Sequence, residues 1–255
     1  MSYTVHEPSQ QDWDDYYEKV QKTGYAALPN CPRCRGAGFV IPRDDKGQPI
    51  FNKTIPCSYK DCLKDSHEKF RNGETYLKNI GIMDKTKTFG SWLHENGSEE
   101  AFKAFYNLSG LNPDIKYPPP LLMCYGPVGN GKTHLCNALA LELHERKIGL
   151  RVYDVADMMM DLRIGIPDHT IDLKLRFLKS IPALIMDDWG VNYGTDWEWG
   201  KMDEIVTHRY RAEILTVFIT NLDPTNVPER VLSRFSDTHL SVMVSNTGAD
   251  HRPMI

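Results

Sequence analysis

The second half of the chain alternates short apolar runs with longer stretches where apolar residues recur every three or four positions. Leu121 to Tyr125, Leu150 to Val155, Ile181 to Met186 and Leu215 to Thr220 are mostly apolar and bounded by polar residues, the pattern of buried strands. Residues 135–144, 156–164 and 201–211 lie between or beside them and read as helices. A further helix is expected to start at Ser98, with Glu99 and Glu100 in its first turn and Ala101, Phe102, Phe105 and Leu108 on its apolar face. Strands alternating with helices imply an α/β fold, a parallel sheet covered by helices on both faces.

The first third follows another pattern. Residues 1–30 form a helix-prone lead with Trp13, Tyr16, Tyr17 and Val20 on one face, and a cysteine-rich segment follows. Residues 1–75 are therefore expected to be a small N-terminal domain, 76–97 a mixed polar linker, and 98–255 the sheet domain.

Between the first strand and its helix stands Gly126-Pro127-Val128-Gly129-Asn130-Gly131-Lys132-Thr133, which fits G-x-x-x-x-G-K-[ST], the phosphate-binding P-loop. Glycines let successive backbone N–H groups face one anion, and the helix N-terminus adds partial positive charge. Lys132 brings a cation to the β- and γ-phosphates of a nucleotide such as ATP, and the Thr133 hydroxyl is a ligand for Mg2+. Asp187 and Asp188 end the third strand, the Walker B position, where one carboxylate holds Mg2+ and the next acts as general base on water. Asn221 ends the following strand, at the edge where an open parallel sheet gathers its ligands, and its amide can orient that water. Arg230 and Arg234 stand four apart on an expected helix, where each reads equally as a surface ion pair or as an arginine finger for a neighbouring subunit.

Four of the six cysteines form two close pairs, Cys31-Pro32-Arg33-Cys34 and Cys57-Ser58-Tyr59-Lys60-Asp61-Cys62. Two thiolate pairs joined by a loop suit a tetrahedral zinc site, here in a zinc-ribbon pattern with short strands at Phe39-Val40-Ile41 and Pro49-Ile50-Phe51. Unliganded thiols are the alternative, and His67 could replace one cysteine ligand. Four protein ligands leave no open position, so this Zn2+ would support folding of a segment too small for its own core. Cys124 and Cys136 flank the P-loop and read as small core residues.

Composition narrows the function classes. A formal net charge of −4 gives no global attraction to nucleic acid, so any DNA contact needs a local basic surface. No apolar run reaches the roughly 20 residues of a membrane span, and the first residues lack a signal-peptide pattern, so a cytoplasmic protein with no membrane partner is expected.

The ordered set from Gly126 to Leu135, then Leu184-Ile185-Met186-Asp187-Asp188-Trp189-Gly190, Arg209-Tyr210, Thr220-Asn221-Leu222 and Arg230-Val231-Leu232-Ser233-Arg234-Phe235, resembles the AAA+ ATPases of the DnaC/DnaI helicase-loader and IstB group. The resemblance covers residues from about 85 to 255 and extends the nucleotide-binding set to His134. It makes Asn221 the sensor 1 residue and Arg234 the arginine finger, and implies self-association in rings or spirals with ATP between subunits. Asp188 stands where many AAA+ proteins have glutamate. Twenty-one residues follow Arg234, too few for a helical lid, so the implied domain is lidless, with Arg252 the candidate sensor 2 residue.

In this group a helical insertion before Walker B faces single-stranded DNA. Here it contains Arg163, Lys174, Arg176, Phe177 and Lys179, while Leu162, Ile171, Leu173, Leu175 and Leu178 fit a core face and leave the charges as a solvated surface. The implied function is an ATPase that loads a replicative hexameric helicase of the DnaB type onto single-stranded DNA, with the cysteine segment as the helicase-binding domain. An IstB-like transposition ATPase on duplex DNA and a nucleotide-switched zinc adaptor without turnover are the alternatives.

Overall fold

The computed structural model describes residues 39–40, 55–56, 77, 80–82, 84–94, 96–115, 117–146, 148–167, 171–189 and 195–251. The chain divides into two compact units, residues 1–79 with 144–149, and residues 80–143 with 150–255.

In the first unit, β1 (Phe39–Val40) pairs antiparallel with β2 (Ile55–Pro56), Phe39 opposite Pro56 and Val40 opposite Ile55. The first of the two expected strands is present. Its partner is residues 55–56, immediately before Cys57; the second expected strand, residues 49–51, lies outside the described residues. Cys31, Cys34, Cys57, Cys62 and the N-terminal lead lie outside the described residues.

The second unit is built on a five-stranded parallel sheet of β3 (Leu121–Tyr125), β4 (Leu150–Asp154), β5 (Ala183–Trp189), β6 (Leu215–Thr220) and β7 (Ser241–Ser245). Its order is β4-β5-β6-β3-β7. Side chains of β3, β5 and β6 are buried at successive positions, so both faces of the sheet centre are covered. The helices are α1 (Glu99–Ser109), α2 (Lys132–Glu145), α3 (Val155–Ile164), α4 (Ile171–Ser180), α5 (Asp196–Arg211) and α6 (Glu229–Phe235). The path runs from β3 out to the far edge at β4 and then returns through β5 and β6. With right-handed crossovers, that reversal puts α2 on the face opposite the later helices.

Three boundaries differ from the sequence reading. α5 begins at Asp196, five residues early, because Thr195 and Glu198 form a reciprocal capping box. This places Trp197 and Trp199 on a helix, and the Trp199 ring packs 4.3 Å from that of Trp189. β7 was not foreseen: Ser-Val-Met-Val-Ser is short, with polar ends, and its pairing with β3 comes from tertiary contact. Finally, residues 80–94, assigned to a linker, pack into the second unit. Ile80, Ile82 and Trp92 are buried, and Val152 N–H donates to the Ile80 carbonyl at 2.8 Å.

One arginine is part of the core. Arg209 is fully buried, donating from Nε to Thr216 Oγ1 at 2.9 Å and from Nη1 and Nη2 to the carbonyls of Leu178, Ile181 and Leu215 at 2.6–2.8 Å. It ties α5 and the end of α4 to the starts of β5 and β6. Burial lowers its pKa to about 9.

Candidate nucleotide site

The P-loop leaves β3 and turns into α2, as strand, glycine loop and helix require. Gly131 has φ +87°, and a β-carbon there would lie 2.7 Å from the Trp92 ring, so only glycine allows this turn and this packing. Lys132 folds inward and is nearly buried, Nζ donating to the carbonyls of Gly126 at 2.9 Å and Pro127 at 2.6 Å and to Asn130 Oδ1 at 3.1 Å. The loop is braced from behind by Asn246, directly after β7. Asn246 N–H donates to the Tyr125 carbonyl, its side-chain amide donates to the Asn130 carbonyl at 3.0 Å, and the Asn130 amide donates back to the Asn246 carbonyl. Both asparagines are buried.

The opposite wall comes from β5 and β6. Between Met186 and Trp189 the pairing of β5 with β6 slips, and Asp188 takes φ +59°. In a regular strand Asp187 and Asp188 would face opposite sides of the sheet; the bulge brings both to the cavity. Burial raises the Asp187 pKa above its ordinary value, and hydrogen bonds from the Thr133 hydroxyl and from the Asp188 N–H partly offset this. Asp188 Oδ1 accepts from Asn221 Nδ2 at 2.7 Å. Thr220, fully buried, fixes these strand ends by donating to the Trp189 carbonyl at 2.6 Å and accepting from Leu222 N–H at 2.9 Å.

The third wall is the entry segment. Asn137 on α2 accepts from Asp84 N–H and donates to the carbonyls of Asp84 and Lys87. His134 Nε2 donates to the Thr88 carbonyl at 2.9 Å, and its ring meets Trp92 edge-on at 5.2 Å. These contacts hold Lys87, Ser91, Trp92 and Leu93 beside the P-loop.

The result is one cavity of about 600 Å3 lined by residues 128–134, Asp187, Asp188, Asn221, the entry segment and His251. It is of ligand size. The donor set suits a nucleotide with Mg2+: a positive loop on one side, and a hydroxyl hydrogen-bonded to a buried carboxylate on the other. Sequence reasoning identified Lys132, Thr133, Asp187, Asp188 and Asn221, which the structure brings together. It gave no role to Thr220, Asn246, Trp92 or His251, whose roles depend on contacts distant in sequence.

Arg234 is not among the lining residues. Its guanidinium stacks over Tyr210 at 5.4 Å, and its Nε donates to Thr207 Oγ1 at 3.4 Å. Arg230 is almost fully exposed, 3.9 Å from Asp203. Arg252 lies outside the described residues. Three of the four expected DNA-facing cations are in ion pairs within the chain: Arg163 with Glu198, Lys174 with Asp161 and Lys179 with Glu204, at 2.5–3.0 Å, while Phe177 lies under Arg151. Cys124 and Cys136 are buried, which pushes the Cys124 thiol up to about 12 and Cys136 well above its usual value, leaving both unreactive. Among the described residues no group of three or more His, Cys, Asp and Glu could hold a metal ion, and no helix is long and apolar enough to cross a membrane.

Residues 83–218 match the protein family described as the bacterial DnaA ATPase domain. The replicative helicase loader DnaI of Bacillus subtilis (strain 168) is 31% identical over 104 residues, 40% of this chain and 33% of that protein. The match thus spans a third of that relative's length. Among solved structures, a DnaC helicase loader aligns with TM-score 0.55 and 20% identity over 64% of this chain and 98% of that one. A DnaI structure aligns with TM-score 0.53 and 22% identity over 67% and 95%. DnaA from Aquifex aeolicus bound to AMPPCP aligns with TM-score 0.56 and 20% identity over 64% and 50%. These structures share the fold of the second unit.

Proposed function

The chain belongs to the bacterial DnaA ATPase-domain family and is an AAA+ protein similar to the DnaC and DnaI loaders; from that premise we propose that it hydrolyses ATP to load a replicative helicase onto single-stranded DNA. The observation that carries the ATPase part is the convergence of Lys132, Thr133, Asp187, Asp188 and Asn221 on one cavity.

The roles follow from chemistry. Backbone N–H groups of residues 128–133 cradle the phosphates, and Lys132 exchanges its loop carbonyls for phosphate oxygens. Thr133 and Asp187 would hold Mg2+, which would supply neutralisation of phosphate charge. Asp188 takes the proton of the attacking water, and Asn221 fixes the Asp188 carboxylate while its amide orients that water. Arg234, outside its own cavity, serves the site of a neighbouring subunit, so turnover needs self-association.

The loader reading is supported by the stretch shared with a replicative helicase loader and by the cysteine-rich segment ahead of the ATPase unit. Residues 1–75 are proposed as a helicase-binding domain folded around Zn2+ on Cys31, Cys34, Cys57 and Cys62. The antiparallel pairing of β1 with β2, which Cys57 directly follows, fits a zinc ribbon. For single-stranded DNA, Lys174 and Lys179 would exchange exposed carboxylate partners for phosphates, a small cost because surface ion pairs contribute about 0–1 kcal/mol each; Arg163, paired with the buried Glu198, would give up more.

The test uses the full chain with purified replicative hexameric helicase and a circular single-stranded template carrying an annealed fragment. Helicase retained by the immobilised chain, and fragment release that needs both proteins and ATP, are expected. ATP turnover stimulated by duplex DNA without helicase binding would instead indicate a transposition ATPase. Nucleotide binding without turnover would indicate an adaptor.

A further inference from the structure

After β7 the chain does not leave the sheet edge; it turns back across the P-loop. Three contacts hold it there. Asn246 is buried against Asn130 by the reciprocal amide bonds, and Gly248 N–H donates to Asn246 Oδ1 at 3.1 Å. Thr247 N–H donates to the Gly97 carbonyl at 2.9 Å, at the start of α1. His251 N–H donates to the Gly129 carbonyl at 3.1 Å, and His251 lines the same cavity as Lys132 and Thr133.

Between these anchors lies Asp250. Gly129 has φ +85°, and a β-carbon built on it would fall 1.8 Å from Asp250 Oδ1 and 2.7 Å from Oδ2. The carboxylate is therefore seated directly against the backbone of a loop built to receive anions. The geometry is that of a strap, fixed at one end by a buried asparagine and carrying a negative charge to the phosphate loop at the other.

We propose that residues 246–251 form a strap over the phosphate loop whose Asp250 carboxylate opposes nucleotide binding, and that its outer part, residues 248–251, shifts when a nucleoside triphosphate enters. The proposal rests on the nucleotide reading of the site. A unit charge several ångström from a phosphate, across partly solvated space, weakens binding severalfold. Asn246 stays in place because it is buried and braces the loop; Asp250 and His251 are exposed and can move. Occupancy of the site would thereby be reported at the chain's C-terminal side, on the edge of the sheet formed by β7.

The experiment compares full-length wild type, Asp250→Asn, Asp250→Ala and Lys132→Ala, using a fluorescent ATP analogue with Mg2+ and hydrogen exchange of the segment 246–251. Both Asp250 variants are expected to bind about three- to tenfold more tightly than wild type, the gain shrinking as salt is raised. In wild type, amide exchange at 248–251 is expected to speed up on adding nucleotide, and not in Lys132→Ala. Equal affinity of wild type and both Asp250 variants, or slower exchange of the segment on binding, would overturn the strap while leaving the nucleotide site intact. A wild type that binds no nucleotide would remove both.

Discussion

Asn221 Nδ2 donates to Asp188 Oδ1 at 2.7 Å, joining the ends of two adjacent strands through side chains 33 positions apart. Asp188 is held there in a left-handed backbone conformation, φ +59°, that aspartate tolerates but does not prefer. The bulge, the Thr220 crosslink and the Asn221 amide together aim one carboxylate into the cavity.

If Asp188 is the general base, Asp188→Asn should lower the ATP turnover number by about 10²- to 10⁴-fold, since it keeps the shape and removes the proton acceptor. Asn221→Ala should lower it less, as the carboxylate remains but is no longer oriented. Affinity for ATP should stay within about threefold in both, because neither residue belongs to the phosphate cradle. Steady-state turnover beside equilibrium nucleotide binding checks this. A proportionate loss of binding would reassign both residues to substrate binding.

Asp187 leads to a stability prediction of opposite sense to the usual carboxylate. Burial raises its pKa above the ordinary 3.8, so between those two values the folded state holds a proton that the unfolded state has released. Stability therefore falls as pH rises through this window, and at neutral pH the ionised Asp187 is a net cost in the metal-free protein. Asp187→Asn retains an oxygen to accept from Thr133 and from the Asp188 N–H. It should raise the melting temperature of nucleotide-free protein at pH 7, lose that advantage below about pH 4, and abolish Mg2+-dependent turnover. Calorimetry at the two pH values, with and without Mg2+ and ATP, reads all three.

The sheet and the phosphate loop were legible because their signals are local. Four of the five strands are mostly apolar runs, and the loop's glycines and lysine sit in eight consecutive residues. Asp187, Asp188 and Asn221 could be found because strand ends in a parallel sheet share one edge. What escaped was set by contacts between distant residues. Asn246 looks like any polar residue after a weak strand until it meets Asn130, 116 positions away. Residues 80–94 look like a linker because their apolar residues are sparse; Asn137 and His134, on a helix 50 or so positions later, hold them in place.

Arg209 is a buried crosslink of the second unit whose removal is expected to cost stability. Its four hydrogen bonds satisfy three carbonyls at the meeting of α4, α5, β5 and β6. Arg209→Ala would leave those carbonyls buried without donors and open a cavity, a loss of about 3–5 kcal/mol. Arg209→Lys should recover little, because one ammonium cannot reproduce the planar fork. Chemical denaturation measures both variants. A loss below about 1 kcal/mol for alanine would mean that water or rearranged neighbours replace the guanidinium.

Arg234 offers the sharpest test of how the ATP site is completed. Arg234 is held by Tyr210 and Thr207, away from the lining of the cavity, and in the proposed mechanism its charge reaches a γ-phosphate across an interface. Tyr210 is in turn fixed by its hydroxyl bond to Asp237, which holds the ring under the guanidinium. Arg234→Ala should leave ATP binding within about twofold and reduce turnover by about 10³-fold or more, the usual contribution of a finger supplied in trans. Lys132→Ala should lose turnover through loss of binding. The two inactive variants carry complementary defects, so mixing them should restore part of the activity: a subunit with intact Lys132 can then meet a neighbour with intact Arg234. Turnover against mixing ratio should pass through a maximum near equal amounts. A mixture as inactive as its components, although mixed oligomers form, would confine Arg234 to its own subunit's packing.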